Sequence, residues 1–234
     1  LPPIHGESTG SISAGASPCP HETVRRTARV ALDIDAVLCD LIGSCRHTAA
    51  EYLGVPEHEL TFGGDYFTPY HHDDPALVEK LRGAMWELWS REDTILRALP
   101  VPGGRDLAAA LAGEGRLASY ITRRPPQVDR LTARWLETHG FPLDGVELHH
   151  VGGTNACKSV TARAVHAEVL VDDSVHEAIS ALANGMHVVM VAMPYNRDAA
   201  RELAGRYGPR FLDVPDTSAA LAAVTANPCP GPRV

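Results

Sequence analysis

Short apolar runs alternate with amphipathic stretches along most of the chain. The run at 29–34, with Val30, Ala31 and Leu32 at its centre, predicts a buried strand. Residues 41–53 carry Leu41, Ile42, Cys45, Ala49 and Leu53 at helical spacing. A second helix is expected from Pro75 through Leu77, Leu81, Met85, Trp86 and Trp89. After Pro102-Gly103-Gly104 the pattern predicts a helix at 105–111 and a strand at 117–122. It then predicts an amphipathic helix at 127–138, with Val128, Leu131, Trp135 and Leu136 inward and Gly140 as its stop. A strand at 146–149, a helix at 161–166 and a strand at 169–171 ending on Asp172-Asp173 follow. A helix at 175–183, closed by Asn184-Gly185, leads to a strand at 187–191. Segments 199–207, 211–214 and 218–224 complete the alternation. Strands that alternate with helices predict an α/β fold, a mostly parallel sheet with helices on both faces.

Residues 41–99 interrupt this alternation. Pro56 and Gly63-Gly64 mark turns, and an aromatic, polar loop runs from Tyr66 to Asp74. With few strand signals, the block reads as a small helical cap inserted after the first strand. The α/β core is then 28–40 plus 100–224. Residues 1–27, rich in turn formers, read as a flexible leader, and 225–234 as a flexible tail. No internal repeat is visible.

Composition narrows the function. The chain has 234 residues, 44% of them hydrophobic, and a net charge of −8. That acidity argues against a nucleic-acid polymer as partner, which calls for basic surface, and leaves room for a small anionic substrate. No apolar run reaches the ~20 residues of a membrane span, and the leader lacks the layout of a secretory signal. Five cysteines without CxxC spacing suggest reduced thiols and a cytoplasmic location. Twelve histidines without HExxH give a zinc site no support.

Polar groups recur where successive strands should end. Asp33 and Asp35 follow the first, Thr122 ends the second, Lys158 follows the third, and Asp172 and Asp173 end the fourth. Parallel strand ends meet along one sheet edge, so these groups can converge. Asp-x-Asp alone is unspecific, since a response-regulator acid pocket or a glycosyltransferase metal site has such acids too. The full set suits phosphoryl transfer. One carboxylate can attack phosphorus, a second can protonate the leaving oxygen and then deprotonate water, and a hydroxyl and an ammonium can hold phosphate oxygens. Crowded carboxylates repel one another, which a hard cation such as Mg²⁺ offsets.

These residues resemble the motifs of the haloacid dehalogenase-like (HAD) phosphohydrolases. Asp33-Ile34-Asp35-Ala36-Val37-Leu38 is similar to their first motif, Ile121-Thr122 to the second, Lys158 to the third, and Leu170-Val171-Asp172-Asp173 to the fourth. The resemblance spans about 29–192. Within the superfamily it is most like the cytosolic 5′(3′)-deoxyribonucleotidase type. Asp40, Pro102-Gly103, Arg123-Arg124-Pro125, and Trp135-Leu136 before Gly140-Phe141-Pro142 carry that closer likeness.

The resemblance implies a Rossmann-like, HAD-like core and a Mg²⁺-dependent phosphomonoester hydrolase acting through an aspartyl phosphate. A nucleoside 5′-monophosphate or a similar small phosphate ester is the expected substrate. It implies Asp33 as nucleophile, Asp35 as general acid/base, and Thr122 and Lys158, with Arg123 as an added candidate, on the phosphoryl group. Asp33, the Asp35 carbonyl, Asp172 and Asp173 would serve the metal. Alternatives are a phosphatase or phosphotransferase for an intermediate of specialised metabolism, and a non-catalytic module that binds a phosphorylated ligand. Asp35 argues against a dehalogenase, which lacks an acid/base two residues after the nucleophile. Phosphonate hydrolysis needs a cap lysine, for which the insertion offers only Lys80. Two departures stand out: Ala36 replaces a glycine common in nucleotidase relatives, and Arg123-Arg124 adds charge to the second motif. The loop from Tyr66 to His72 could stack on a base.

Overall fold

The computed structural model of the protein describes residues 27–63 and 69–225. Residues 1–26 of the expected leader, 226–234 of the expected tail, and Gly64, Tyr66, Phe67 and Thr68 of the expected turn and aromatic loop lie outside the described residues. In chain order the elements are β1 (Val30–Leu32), α1 (Leu41–Leu53), β2 (Thr61–Phe62), β3 (Tyr70–His71), α2 (Pro75–Trp89), α3 (Glu92–Arg97), α4 (Gly104–Gly113) and β4 (Leu117–Thr122). They continue with α5 (Asp129–Thr138), β5 (Glu147–His150), α6 (Lys158–Ala164), β6 (Val169–Asp172), α7 (Val175–Ala183), β7 (His187–Val191), α8 (Arg197–Tyr207), β8 (Phe211–Val214) and α9 (Thr217–Thr225).

Six strands form one sheet in the order β5-β4-β1-β6-β7-β8, with every pairing parallel. The chain starts at the centre, builds outward through β4 and β5, then crosses back to β6 and builds the other way. Strand order therefore reverses around β1, and a sheet of this kind opens its ligand crevice at the carboxyl ends beside such a reversal.

Side-chain alternation divides the core into two layers. Val30, Leu32, Val169, Val171 and Val189 pack beneath Leu107 and Leu111 of α4, Trp135 of α5 and Val224 of α9. Ala31, Ile121, Leu170, Val188 and Met190 face Ala162 of α6, Ala178 and Leu182 of α7, and Leu203 of α8. Helices thus cover both faces, as the alternation predicts. Trp135 is fully buried, donates from Nε1 to the Ala98 carbonyl at 2.7 Å, and stacks on Phe141.

The inserted segment has a cluster of its own. Cys45 and Ala49 of α1 meet Leu81, Met85 and Leu88 of α2, with Leu60 and Tyr70 alongside. Burying a leucine such as Leu81 is worth roughly 2 kcal/mol. Punctuation sets both helices. Asp40 caps α1 through the Gly43 amide and Gly54 ends it in the left-handed region, while Asp74 and Pro75 start α2.

Three local features depart from the sequence pattern. The insertion contains a short antiparallel pair, β2–β3, too brief to show a period. Helix α3 also went unread, and its Ile95, with Ala98 just beyond, packs into the main core instead of against α2. Helix α6 begins at Lys158, three residues before the expected 161.

Candidate active site

Asp33 extends β1 by one residue, donating its amide to the Val171 carbonyl at 2.9 Å. Because Leu32 pairs with Val171, this sets Asp33 beside Asp172 and Asp173 at the neighbouring strand end. The chain then closes on itself. The Leu38 and Cys39 amides donate to the Ile34 carbonyl at 2.8 Å, and the Ala36 amide donates to the Cys39 carbonyl at 2.9 Å. At the tip of this loop Ala36 has φ 64°, a left-handed conformation that costs an L-residue roughly 1 kcal/mol and suits glycine better.

Lys158 is the centre of charge. It is 1% exposed, and its Nζ reaches Asp33 Oδ2 at 2.7 Å and Asp172 Oδ2 at 2.9 Å. Its backbone amide donates to Glu177 Oε2 at 2.7 Å. Asp172 also accepts from the Ser174 amide at 2.9 Å, so this side chain faces Lys158 and the start of α7. Asp173 accepts from the Tyr195 hydroxyl, and Asn196 ties down the Asp173 carbonyl at 2.8 Å.

Asp33, Asp172 and Asp173 each bring one oxygen to within 4.8 Å of the others. Burial pushes the Asp33 carboxyl well up. Lys158 pulls it back, and Asp172, Asp173 and Asp35 add repulsion. Burial, with repulsion from Asp172, raises Asp173 to about 6. Burial likewise raises Asp172 against the pull of Lys158. One ammonium among three buried carboxylates leaves negative charge uncompensated. An all-oxygen donor set of this kind fits Mg²⁺, a hard cation that takes few protein ligands.

The two arginines after β4 have separate partners. Arg124 is buried and forks onto Asp35, with Nη2 to Oδ1 at 2.6 Å and Nε to Oδ2 at 3.0 Å. Arg123 pairs with the buried Glu177, with Nε to Oε1 at 2.6 Å. Thr122 is fully buried, and its Oγ1 accepts the Arg124 amide at 3.1 Å.

These groups floor a cavity that opens to solvent. Asp33, Asp35, Lys158 and Asp173 line it, whereas Thr122 and Asp172 stand behind that floor. Leu41 and Ile42 from α1, Trp86 and Trp89 from α2, and Pro125 form its apolar wall. The structure thus gathers every site residue read from the sequence at one sheet edge, in two ranks. Sequence reasoning missed Glu177, Tyr195 and the tryptophan wall, and left Arg124 without a partner. Trp86 had a usable signal, because it falls off the buried stripe Leu81-Met85-Leu88 and is half exposed.

The parallel six-stranded sheet with helices on both faces is a Rossmann-like, HAD-like fold. Several solved structures share it. A haloacid dehalogenase-like hydrolase from Streptococcus pneumoniae has a TM-score of 0.55 at 15% identity, covering 84% of this chain and 98% of that one. A HAD family hydrolase from Deinococcus radiodurans, with bound phosphate and sodium, has a TM-score of 0.52 at 17% identity, covering 85% and 96%. A phosphonoacetaldehyde hydrolase-like protein from Oleispira antarctica has a TM-score of 0.54 at 11% identity, covering 94% and 100%. At these identities the likeness establishes the fold. No protein-family model and no curated protein sequence matches the chain. Lys80, the insertion's lysine, lies 5.0 Å from the centre of the Tyr52 ring and does not line the cavity.

Proposed function

We propose that the protein is a Mg²⁺-dependent phosphomonoester hydrolase that works through an aspartyl phosphate on Asp33. The observation that carries this reading is the contact of Asp33 with Lys158, beside Asp173, on the floor of the cavity.

In the first half-reaction an Asp33 oxygen bonds to phosphorus and the ester P–O bond breaks. Asp35 gives its proton to the departing oxygen. In the second half, a water oxygen bonds to phosphorus, the acyl-phosphate P–O bond breaks, and Asp35 takes the proton from water. Arg124 orients Asp35, whose side chain remains 26% exposed on the cavity. Lys158 neutralises charge on Asp33 and on the phosphoryl oxygens. Asp172 fixes Lys158, and Thr122 braces the turn that carries the arginines.

Asp33, Asp173 and the Asp35 carbonyl would hold Mg²⁺, with Asp172 behind them. An ion held there would supply positive charge against the phosphoryl oxygens. Arg123, paired with Glu177, positions α6 in this reading and does not contact phosphate. The segment 41–99 acts as the cap, and the substrate is a small phosphate ester, nucleoside 5′-monophosphates among the candidates. Among the described residues no helix is long and apolar enough to cross a membrane. The free thiols of Cys39, Cys45 and Cys157 support a cytoplasmic location.

Phosphate release from a panel of nucleoside monophosphates, sugar phosphates and simple esters tests the reading. Release is expected with Mg²⁺, is abolished by EDTA, and falls at least about 10³-fold in Asp33→Asn. Full Mg²⁺-dependent activity in Asp33→Asn would overturn the mechanism.

A further inference from the structure

We infer that the cavity selects a phosphomonoester with one anionic group and an uncharged, planar apolar body, an aryl-bearing ester. The inference rests on the phosphohydrolase reading and narrows its substrate. Two independent observations carry it.

The first is charge. Any second anionic group on a substrate, such as a carboxylate or another phosphate, needs a cation beyond the one that meets the phosphoryl group. Among the described residues the cavity-lining cations are Lys158, Arg123 and Arg124. Lys158 sits at Asp33, at the reaction centre. Arg124 has its fork filled by Asp35, and Arg123 is matched by Glu177. Recruiting either arginine would leave a carboxylate without its counter-charge, at Glu177 a fully buried one.

The second is shape and polarity above the floor. Trp86 and Trp89, one turn apart on α2, line the cavity together with Leu41 and Ile42 of α1 and Pro125. Among the described residues, Ser90 is the hydroxyl side chain that the insertion adds to this wall. Trp86 is 50% exposed, an open indole surface beside a site for a small molecule. Planar apolar groups stack on such surfaces, whereas a polyhydroxylated body finds few hydrogen-bond partners there.

The test compares esters with similar leaving groups, so that intrinsic reactivity does not decide the outcome. Phenethyl phosphate and glycerol 3-phosphate are both esters of primary alcohols, and 3-phosphoglycerate adds a carboxylate. With Mg²⁺ and the full chain, kcat/KM for phenethyl phosphate should exceed that for glycerol 3-phosphate by about tenfold or more, with 3-phosphoglycerate slower still. Trp86→Ala should shrink the phenethyl-to-glycerol ratio by about fivefold or more. Equal rates on the three esters, or a ratio unmoved by Trp86→Ala, would overturn the inference while leaving the hydrolase reading intact. Release from none of them, nor from the wider panel, would instead remove the reading beneath it.

Discussion

Asp173 shows how one residue can report on the state of the site. Its carboxyl is buried and titrates near 6, above its usual 3.8. The folded protein therefore holds that proton more tightly than the unfolded chain. This contribution to stability is complete below about pH 4 and is lost as pH rises through about 6. In metal-free buffer, the melting-temperature difference between wild type and Asp173→Asn should move against the wild type from pH 4 to pH 7. A flat difference would show that Asp173 does not carry the strain. The identity of the acids was legible in the sequence because each follows a predicted strand. Their partners were not, because Arg124 meets Asp35 across 89 positions and Arg123 meets Glu177 across 54. Only the folded sheet makes such pairs neighbours.

At the scale of elements, punctuation decided what could be read. Helix α1 runs from an Asp40 cap to Gly54, and α2 from Asp74-Pro75, so both were legible from end to end. Helix α3 and the β2–β3 pair span too few residues for a hydrophobic period to emerge. The start of α6 was missed because Lys158 owes its place to Glu177, an acceptor on another helix. Gly152, just after β5, exposes a different dependence. A Cβ there would overlap the Arg123 carbonyl and come within 2.6 Å of the Arg124 carbonyl. Gly152→Ala must displace the turn that carries both arginines. Denaturant unfolding should show a loss of roughly 2 kcal/mol or more, and activity should fall with it. Unchanged stability and turnover would show that the turn yields freely.

For the molecule as a whole, the sheet order was foreseeable only as a mostly parallel array, whereas the reversal around β1 is a tertiary fact. With a net charge of −8, any salt relieves some general repulsion, so a specific cation must be separated from screening. Mg²⁺ at about a hundred times its Kd should stabilise by about 2.7 kcal/mol. For a chain of this size that raises the melting temperature by roughly 5–10 °C. NaCl at matched ionic strength should give a much smaller shift, and Asp173→Asn should lose the Mg²⁺-specific part. Equal shifts from both salts would argue against the cation site.

The closed loop after β1 has one more consequence. Cys39 bridges to Pro100, the Asp40 amide donates to the Leu99 carbonyl at 2.8 Å, and the Val101 amide donates to the Leu38 carbonyl at 2.8 Å. The inserted segment therefore departs and returns at a single seam. Leu41, Ile95 and Ala98 pack into the main core, and the stretch between them can lengthen or shorten without shifting the register of any sheet strand. On the proposed reading, inheritance can then vary what the protein chooses separately from what it does, because Asp33 and Lys158 lie on one side of the seam and Trp86 on the other.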